Sequence, residues 1–539
     1  MSEKQDMNAR INHWFEKPYK PGGALTATLL ILAMAICAMW VKAGMDNDSY
    51  YMIAQGRDIL ANGIPKENNF TFADDKIVVQ QWLYCILIAL ADQIPNNIGL
   101  MLFMLVQAVC LAVMINAYAG KYLKDPFWTW LATALALLLS PVTYIASLRP
   151  ENITLILMLC QMTALEQYRQ TKRKAWLAAL PAVMVAEANL HISMWPIHVC
   201  VYLAYLFPHL AYKISKKLAG KNKTKIDYLK EYLFDNGLRP DPWLYGSVIL
   251  SILAVFLNPY GLDGVMYLFR SMPVFSIVAI SEQEGIYLLS RDALISIGVL
   301  FTIMTLAVKK KIWAAEFLMI AGLTALSLTN YHNTMYMPVA LAVLARVLLR
   351  TLSEKKPAKA SEIMPNGVKA ALYACLAGTI LMTIAYTAPK TLIFTDKHGM
   401  DPVIEYLVEN AGPDDRILNN MNMGPMLEYH GMKNLHSDTR PELLLPAITG
   451  CEENFARLIP WLGKHVTSKD IEERYNGDVG EYLDKNDIQF VTDTMQNPVL
   501  PYLTGWLDNS DQWERVELEI PDEIKTADKK VYAVWRRVD

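Results

Sequence analysis

ALTATLLILAMAICAMWV, residues 24–41, runs straight into KAGMDNDSYY, residues 42–51. The first part is apolar for long enough to cross a bilayer, which takes about 20 helical residues. Asp46 and Asp48 follow where that helix meets water. A simple turn needs no acids there, and a carboxylate at a membrane edge is half desolvated and held close to lipid. Asp also suits the N-cap and the positive dipole end of the helix expected over 50–60. The residues alone leave both roles open, and in an extended segment the two acids, two positions apart, point the same way.

Further apolar runs follow at 79–94, 98–119, 127–148, 153–168, 176–190, 192–212, 243–257, 293–308, 312–328, 335–349 and 368–389. With 53% hydrophobic and 19% charged residues among 539, this pattern predicts a polytopic membrane protein with about 11 or 12 membrane segments. Basic clusters at 169–174, 213–230, 309–311 and 350–359 place those loops and the N-terminus in the cytoplasm by the positive-inside rule. No cleavable signal is expected, since polar residues precede the first run. Two full spans across 79–119 would leave Lys121 and Lys124 outside, so one of those runs is expected not to cross alone. Six of the seven cysteines lie in membrane runs and Cys451 stands alone, which argues against an exported disulfide framework.

With this topology most polar motifs fall at outer helix ends. They are Asp46 and Asp48, Gln81-Trp82, Arg149-Pro150-Glu151, Asn189 with His191, Pro259-Tyr260-Gly261, Glu282 with Glu284, and Asn330 to Asn333 around His332. After residue 389 the composition becomes that of a soluble α/β unit of roughly 145 residues, the size of one core. It has a helix expected at 402–410 and β-prone runs at 488–492 and 531–535. The expected domains are a cytoplasmic segment 1–23, a transmembrane module 24–394 with a first outer loop 42–78, and an extracytoplasmic α/β domain 395–539.

Bland roles compete with functional ones at each motif. Tyr50, Tyr51, Gln81 and Trp82 fit an interfacial aromatic belt. Arg149 fits a snorkelling anchor, His191 a satisfied structural histidine, and Pro259-Tyr260-Gly261 a helix stop. No phosphate-binding glycine loop, Cys-x-x-Cys pair or nucleophile elbow is present in the soluble unit.

The succession Asp46-Asn47-Asp48-Ser49-Tyr50-Tyr51, then Gln55-Gly56-Arg57-Asp58, then Asn62-Gly63-Ile64-Pro65, Asn69-Phe70-Thr71 and Gln81-Trp82-Leu83 resembles the GT-C superfamily of integral membrane glycosyltransferases. Ser147-Leu148-Arg149-Pro150-Glu151, Asn189-Leu190-His191, Asn258-Pro259-Tyr260-Gly261 and Asp438-Thr439-Arg440 resemble a poorly characterised bacterial branch of it, from which Glu151 departs where Gln is the pattern. The resemblance implies a mainly α fold, a helical GT-C-like bundle followed by the extracytoplasmic α/β domain, in a bacterial plasma membrane. It implies inverting transfer of a sugar from a polyprenyl-phosphate donor to a lipid, glycan or protein acceptor at the outer face, with no nucleic-acid partner. Asp48, or else Asp46, is the implied general base.

A departing lipid phosphate gains charge and needs cations or donors, for which Arg149, Arg57 and His332 are the candidates. His191, Tyr51, Gln81, Trp82, Glu282 and Glu284 complete the substrate-binding expectation. The residues fix no cofactor; Asp48, Glu284 and His332 offer oxygen and imidazole ligands for a divalent cation such as Mg or Mn. A lipid-linked sugar flippase or transporter, or a non-catalytic envelope-assembly protein, are the alternatives.

Overall fold

A computed structural model describes residues 7, 10, 13, 47–72, 76–95, 97–120, 122–123, 126–141, 147–218, 240–273, 284–355, 400–419, 422–437, 440, 479–494, 501–519 and 532–538. The expected runs at 24–41 and 368–389, together with Asp46, Glu282, Asp438 and Thr439, lie outside the described residues.

The membrane part is a helical bundle. Its helices are α1 (Asn47–Asn62), α2 (Trp82–Asp92), α3 (Ile98–Ala119), α4 (Pro126–Leu139), α5 (Glu151–Thr171), α6 (Ala175–Leu190), α7 (Trp195–Leu218), α8 (Pro242–Ala254), α9 (Leu262–Ser271), α10 (Arg291–Val308), α11 (Ala314–Ser327) and α12 (Met337–Lys355). Among the described residues, four stretches are long and apolar enough to cross a membrane: Ile98–Ala119, Ile192–Ile214, Arg291–Val308 and His332–Glu354. Shorter apolar helices surround them, and the chain is an integral membrane protein. α2 has 11 residues, a length of about 16 Å at the helical rise, well short of a hydrocarbon core about 30 Å thick.

α12 is the centre of the bundle. Val339, Ala340, Ala342, Val343 and Val347 are fully buried, and small and β-branched side chains let α3, α4, α5, α10 and α11 approach it. At one end this core is pinned by ion pairs. Arg346 Nη2 lies 2.8 Å from Glu166, which also accepts from Arg169 Nε at 2.9 Å. Arg350 makes a two-pronged contact with Glu316, one prong 2.7 Å long, and stacks on Trp313.

The C-terminal unit contains α13 (Asp401–Asn410), β1 (Arg416–Asn419), α14 (Gly424–Tyr429), α15 (Val479–Lys485), β2 (Ile488–Thr494), α16 (Pro501–Asp508), β3 (Trp513–Arg515) and β4 (Tyr532–Arg537). The strands form a sheet in the order β1-β2-β4-β3, with β1 parallel to β2 and the other pairs antiparallel. Alternation along the strands builds two cores. Ile417, Phe490 and Val534 face α13 and α14, while Leu418, Val491 and Trp535 pack with Leu483, Leu503 and Leu507 of α15 and α16.

α1 joins the two parts. It begins with Asp48 in its first turn, a favourable placement against the dipole. It ends at Gly63, whose φ of +88° and bond from its N–H to the Ile59 carbonyl (2.9 Å) make a helix stop only glycine enters cheaply. Tyr50 belongs to the core of the C-terminal unit, whereas Tyr51, Met52, Ile53 and Ile59 pack on Tyr84, Cys85 and Ile88 of α2. The following loop also reaches the sheet: Leu435 donates to the Phe70 carbonyl and accepts from Phe72 N–H, and His436 N–H donates to the Ile417 carbonyl of β1.

Candidate functional site

The end of the bundle facing the C-terminal unit collects polar residues from five chain segments. α1 supplies Asp48, and the turn before α5 supplies Arg149. Their side chains meet at 3.2 Å, Arg149 Nη2 to Asp48 Oδ2, with Asp48 37% exposed and Arg149 12% exposed. The carboxylate is thus partly exposed while its cation is held against the protein. Pro150 sits at the N-cap of α5, which fixes the chain direction at Arg149 because proline presets φ.

One residue further on, Glu151 is buried, with Oε2 unbonded within the protein. It is an electrostatic neighbour of His191, as are Glu187 and His332. His332 opens the short 3₁₀ turn His332–Tyr336 that leads into α12. Glu284 is tied to that turn through its backbone carbonyl, which accepts from Tyr331 N–H at 3.2 Å. Asp48 with Arg149, and His191 with Glu151 and His332, are therefore the candidates that the fold brings to one region.

Others brace that region. Gln81 donates to the Tyr51 hydroxyl, and Trp82 Nε1 donates to Asn189 Oδ1 at 3.1 Å. Asn189 in turn donates to the Leu257 carbonyl beyond α8 at 2.9 Å. These three bonds lace α1, α2, α6 and α8 together and leave Tyr51, Gln81 and Trp82 engaged with protein. Asn258 forms the turn at Pro259-Tyr260-Gly261 by accepting from Tyr260 N–H at 2.9 Å, and Tyr260 OH donates to the Pro65 carbonyl at 3.1 Å. Gly261, with φ of +53°, is needed there.

Arg57 lies at the junction with the C-terminal unit, not beside Asp48. Its guanidinium pairs with Asp92 at 2.5 Å, donates to the Tyr429 carbonyl at 2.8 Å and covers the Tyr429 ring. Arg440 of the C-terminal unit is buried with its guanidinium 4.9 Å from the centre of the Tyr51 ring, bringing a cation from that unit close to α1. Among the described residues no three of His, Cys, Asp and Glu converge as metal ligands. The set Asp48, Glu284 and His332 is thus not assembled as a cation site.

Sequence reasoning passed over Glu187 and His198, both fully buried and facing each other at 3.2 Å. The available signal was a carboxylate within the apolar run 176–190 and a histidine within 192–212, since ionisable residues inside membrane segments are rare and paired.

No family model matches the sequence, and no curated protein matches it. Among solved structures, the oligosaccharyltransferase of Archaeoglobus fulgidus, crystallised with a tethered acceptor peptide containing the NVT sequon, superimposes with a TM-score of 0.50. The match has 11% sequence identity and covers 88% of this chain and 69% of that one. The chain is thus similar in fold to that oligosaccharyltransferase; its own architecture is a mainly helical bundle with apolar helices followed by a unit with a four-stranded sheet.

Proposed function

We propose that this protein is a membrane glycosyltransferase that moves a sugar from a polyprenyl-phosphate donor to a lipid, glycan or protein acceptor at the outer face of a bacterial plasma membrane. The observation that carries the proposal is the contact between Asp48 and Arg149, a half-exposed carboxylate and a held cation at the helix ends beneath the C-terminal unit. The likeness of fold to an oligosaccharyltransferase supports the same class of chemistry.

In this reaction the acceptor hydroxyl attacks the anomeric carbon from the side opposite the phosphate. A new carbon–oxygen bond forms, the bond to the phosphate oxygen breaks, and the anomeric configuration inverts. Asp48 accepts the hydroxyl proton, the task of a positioned general base. The leaving phosphate takes the bonding electrons, and Arg149 stabilises its growing charge. Before substrate arrives, Arg149 satisfies Asp48. A donor phosphate competes for the same guanidinium and loosens the carboxylate as it binds.

His332 and His191 line the same end of the bundle as substrate contacts, with Glu284 on the adjoining loop. Asp46 is the second choice for the base.

The test is direct transfer. Protein purified into nanodiscs is incubated with a panel of radiolabelled polyprenyl-phosphate sugars and a membrane extract as acceptor. Appearance of label in an acceptor supports the enzyme. Binding of no lipid-linked sugar together with absence of transfer refutes it, and movement of lipid-linked sugar between leaflets without transfer supports a flippase instead.

A further inference from the structure

Beneath His191 lies a group of buried polar side chains whose hydrogen-bond direction can be read at Glu187 and Thr154. Gln161 Nε2 donates to the backbone carbonyl of His198 at 3.0 Å, so its Oε1 is the atom facing His198 Nδ1 at 2.8 Å. An amide oxygen only accepts, hence His198 Nδ1 carries a hydrogen. His198 Nε2 faces Glu187 Oε2 at 3.2 Å, and both side chains are fully buried. Neither of these two atoms has a hydrogen-bond partner within the protein, so the hydrogen-bond direction is set at the other carboxyl oxygen. That oxygen, Glu187 Oε1, is an acceptor. It receives the Thr154 hydroxyl hydrogen at 2.7 Å. That hydroxyl has only one hydrogen to give, so towards His191 Nδ1, 3.0 Å away, it accepts.

We infer that Thr154 and Glu187 are positioning residues that fix His191 as its Nδ1–H tautomer, leaving the Nε2 lone pair to accept a hydrogen bond from a hydroxyl of the sugar substrate. The ring nitrogen that faces a ligand is set by the bond its other nitrogen makes. Thr154 lies in the first turn of α5, four residues after Pro150, and Glu187 lies four residues before His191 on α6. The array therefore sits about one turn below the end of the bundle that carries Asp48 and Arg149. His191 thus reads a neutral donor, whereas Arg149 takes the phosphate charge. The assignment of a sugar hydroxyl rests on the proposed glycosyltransferase activity, but the tautomer does not.

The experiment is nitrogen magnetic resonance of protein labelled with ¹⁵N-histidine in nanodiscs, without substrate, with the His191 signals identified by their loss in His191→Asn. The wild type is expected to show a protonated Nδ1 and an unprotonated Nε2. Thr154→Ser keeps a hydroxyl and retains that signature. Thr154→Val loses it, and with an active donor its kcat/KM falls roughly 10- to 100-fold, the range for partners that orient a functional histidine. An Nε2–H tautomer in the wild type, or an unchanged tautomer in folded Thr154→Val, overturns the inference. A correct tautomer in a protein that transfers nothing leaves the positioning intact and defeats the glycosyltransferase assignment.

Discussion

Gly56→Ala is the sharpest structural test of how α1 is held. A Cβ at this position would stand 2.0 Å from the Cys85 carbonyl oxygen and 2.7 Å from the Ala89 Cβ of α2, against ordinary contacts of 3.4–4 Å. The closest neighbour is backbone and cannot rotate away, so the helices must part by roughly 1.4 Å at the crossing, the shortfall from ordinary contact. A gap of 0.5–1 Å already forfeits about a quarter to a half of a dispersion well, and Tyr51, Met52 and Ile53 would lose that much against Tyr84, Cys85 and Ile88.

The cost is placed near the top of the usual overpacking range, about 3 kcal/mol. It is read as a lowered melting temperature of purified protein by intrinsic fluorescence. Gly63→Ala is the control: its Cβ meets nothing within 4 Å, so only the left-handed backbone is penalised, by about 1–2 kcal/mol. Because α1 carries Asp48, Gly56→Ala is expected to lower transfer as well. Wild-type stability in Gly56→Ala would refute the close crossing of α1 on α2.

Arg350→Ala leaves Glu316 buried without its guanidinium and is expected to cost about 3–5 kcal/mol in thermal unfolding, while the double change Arg350→Met with Glu316→Leu recovers most of it. Asp92→Ala removes the partner of Arg57 and of the Tyr429 hydroxyl; a loss of about 1–3 kcal/mol should appear as faster hydrogen exchange in α14, with the bundle unchanged. His430 is held below its ordinary value of 6.5 by burial and then by Arg57. Its neutral form is thus the one the fold favours, and the stability of this junction is full above about 6.5 and declines as pH falls below it. Melting followed between pH 8 and 5 should show that direction, and His430→Gln should flatten it.

Much of the architecture is legible in the residues because bilayer thickness and side-chain period leave plain marks. The strands expected at 488–492 and 531–535 lie at Ile488–Thr494 and Tyr532–Arg537, and the helix expected at 402–410 lies at Asp401–Asn410. The shortness of α2 was legible only through Lys121 and Lys124, whose charge disfavoured a second crossing. Contacts between distant segments were not legible. Arg57 looks like a free cation in the first loop, yet it is spent on Asp92 and on Tyr429, 372 positions away. Asn189 beside His191 suggests a ligand pair, but its amide is used to tie Trp82 to the end of α8. Glu187 and His198 were hidden because an apolar run with one acid reads as a span with a blemish until its partner on the next helix is seen.

The measurement that bears most directly on the central claim is transfer by wild type beside Asp48→Asn and Asp46→Asn, each shown to be folded and reconstituted in nanodiscs. Asn is isosteric but cannot take a proton, so loss of a general base should lower the rate about 10²- to 10⁴-fold. The account predicts that loss in Asp48→Asn, with donor binding retained. Undiminished transfer by folded Asp48→Asn would contradict it.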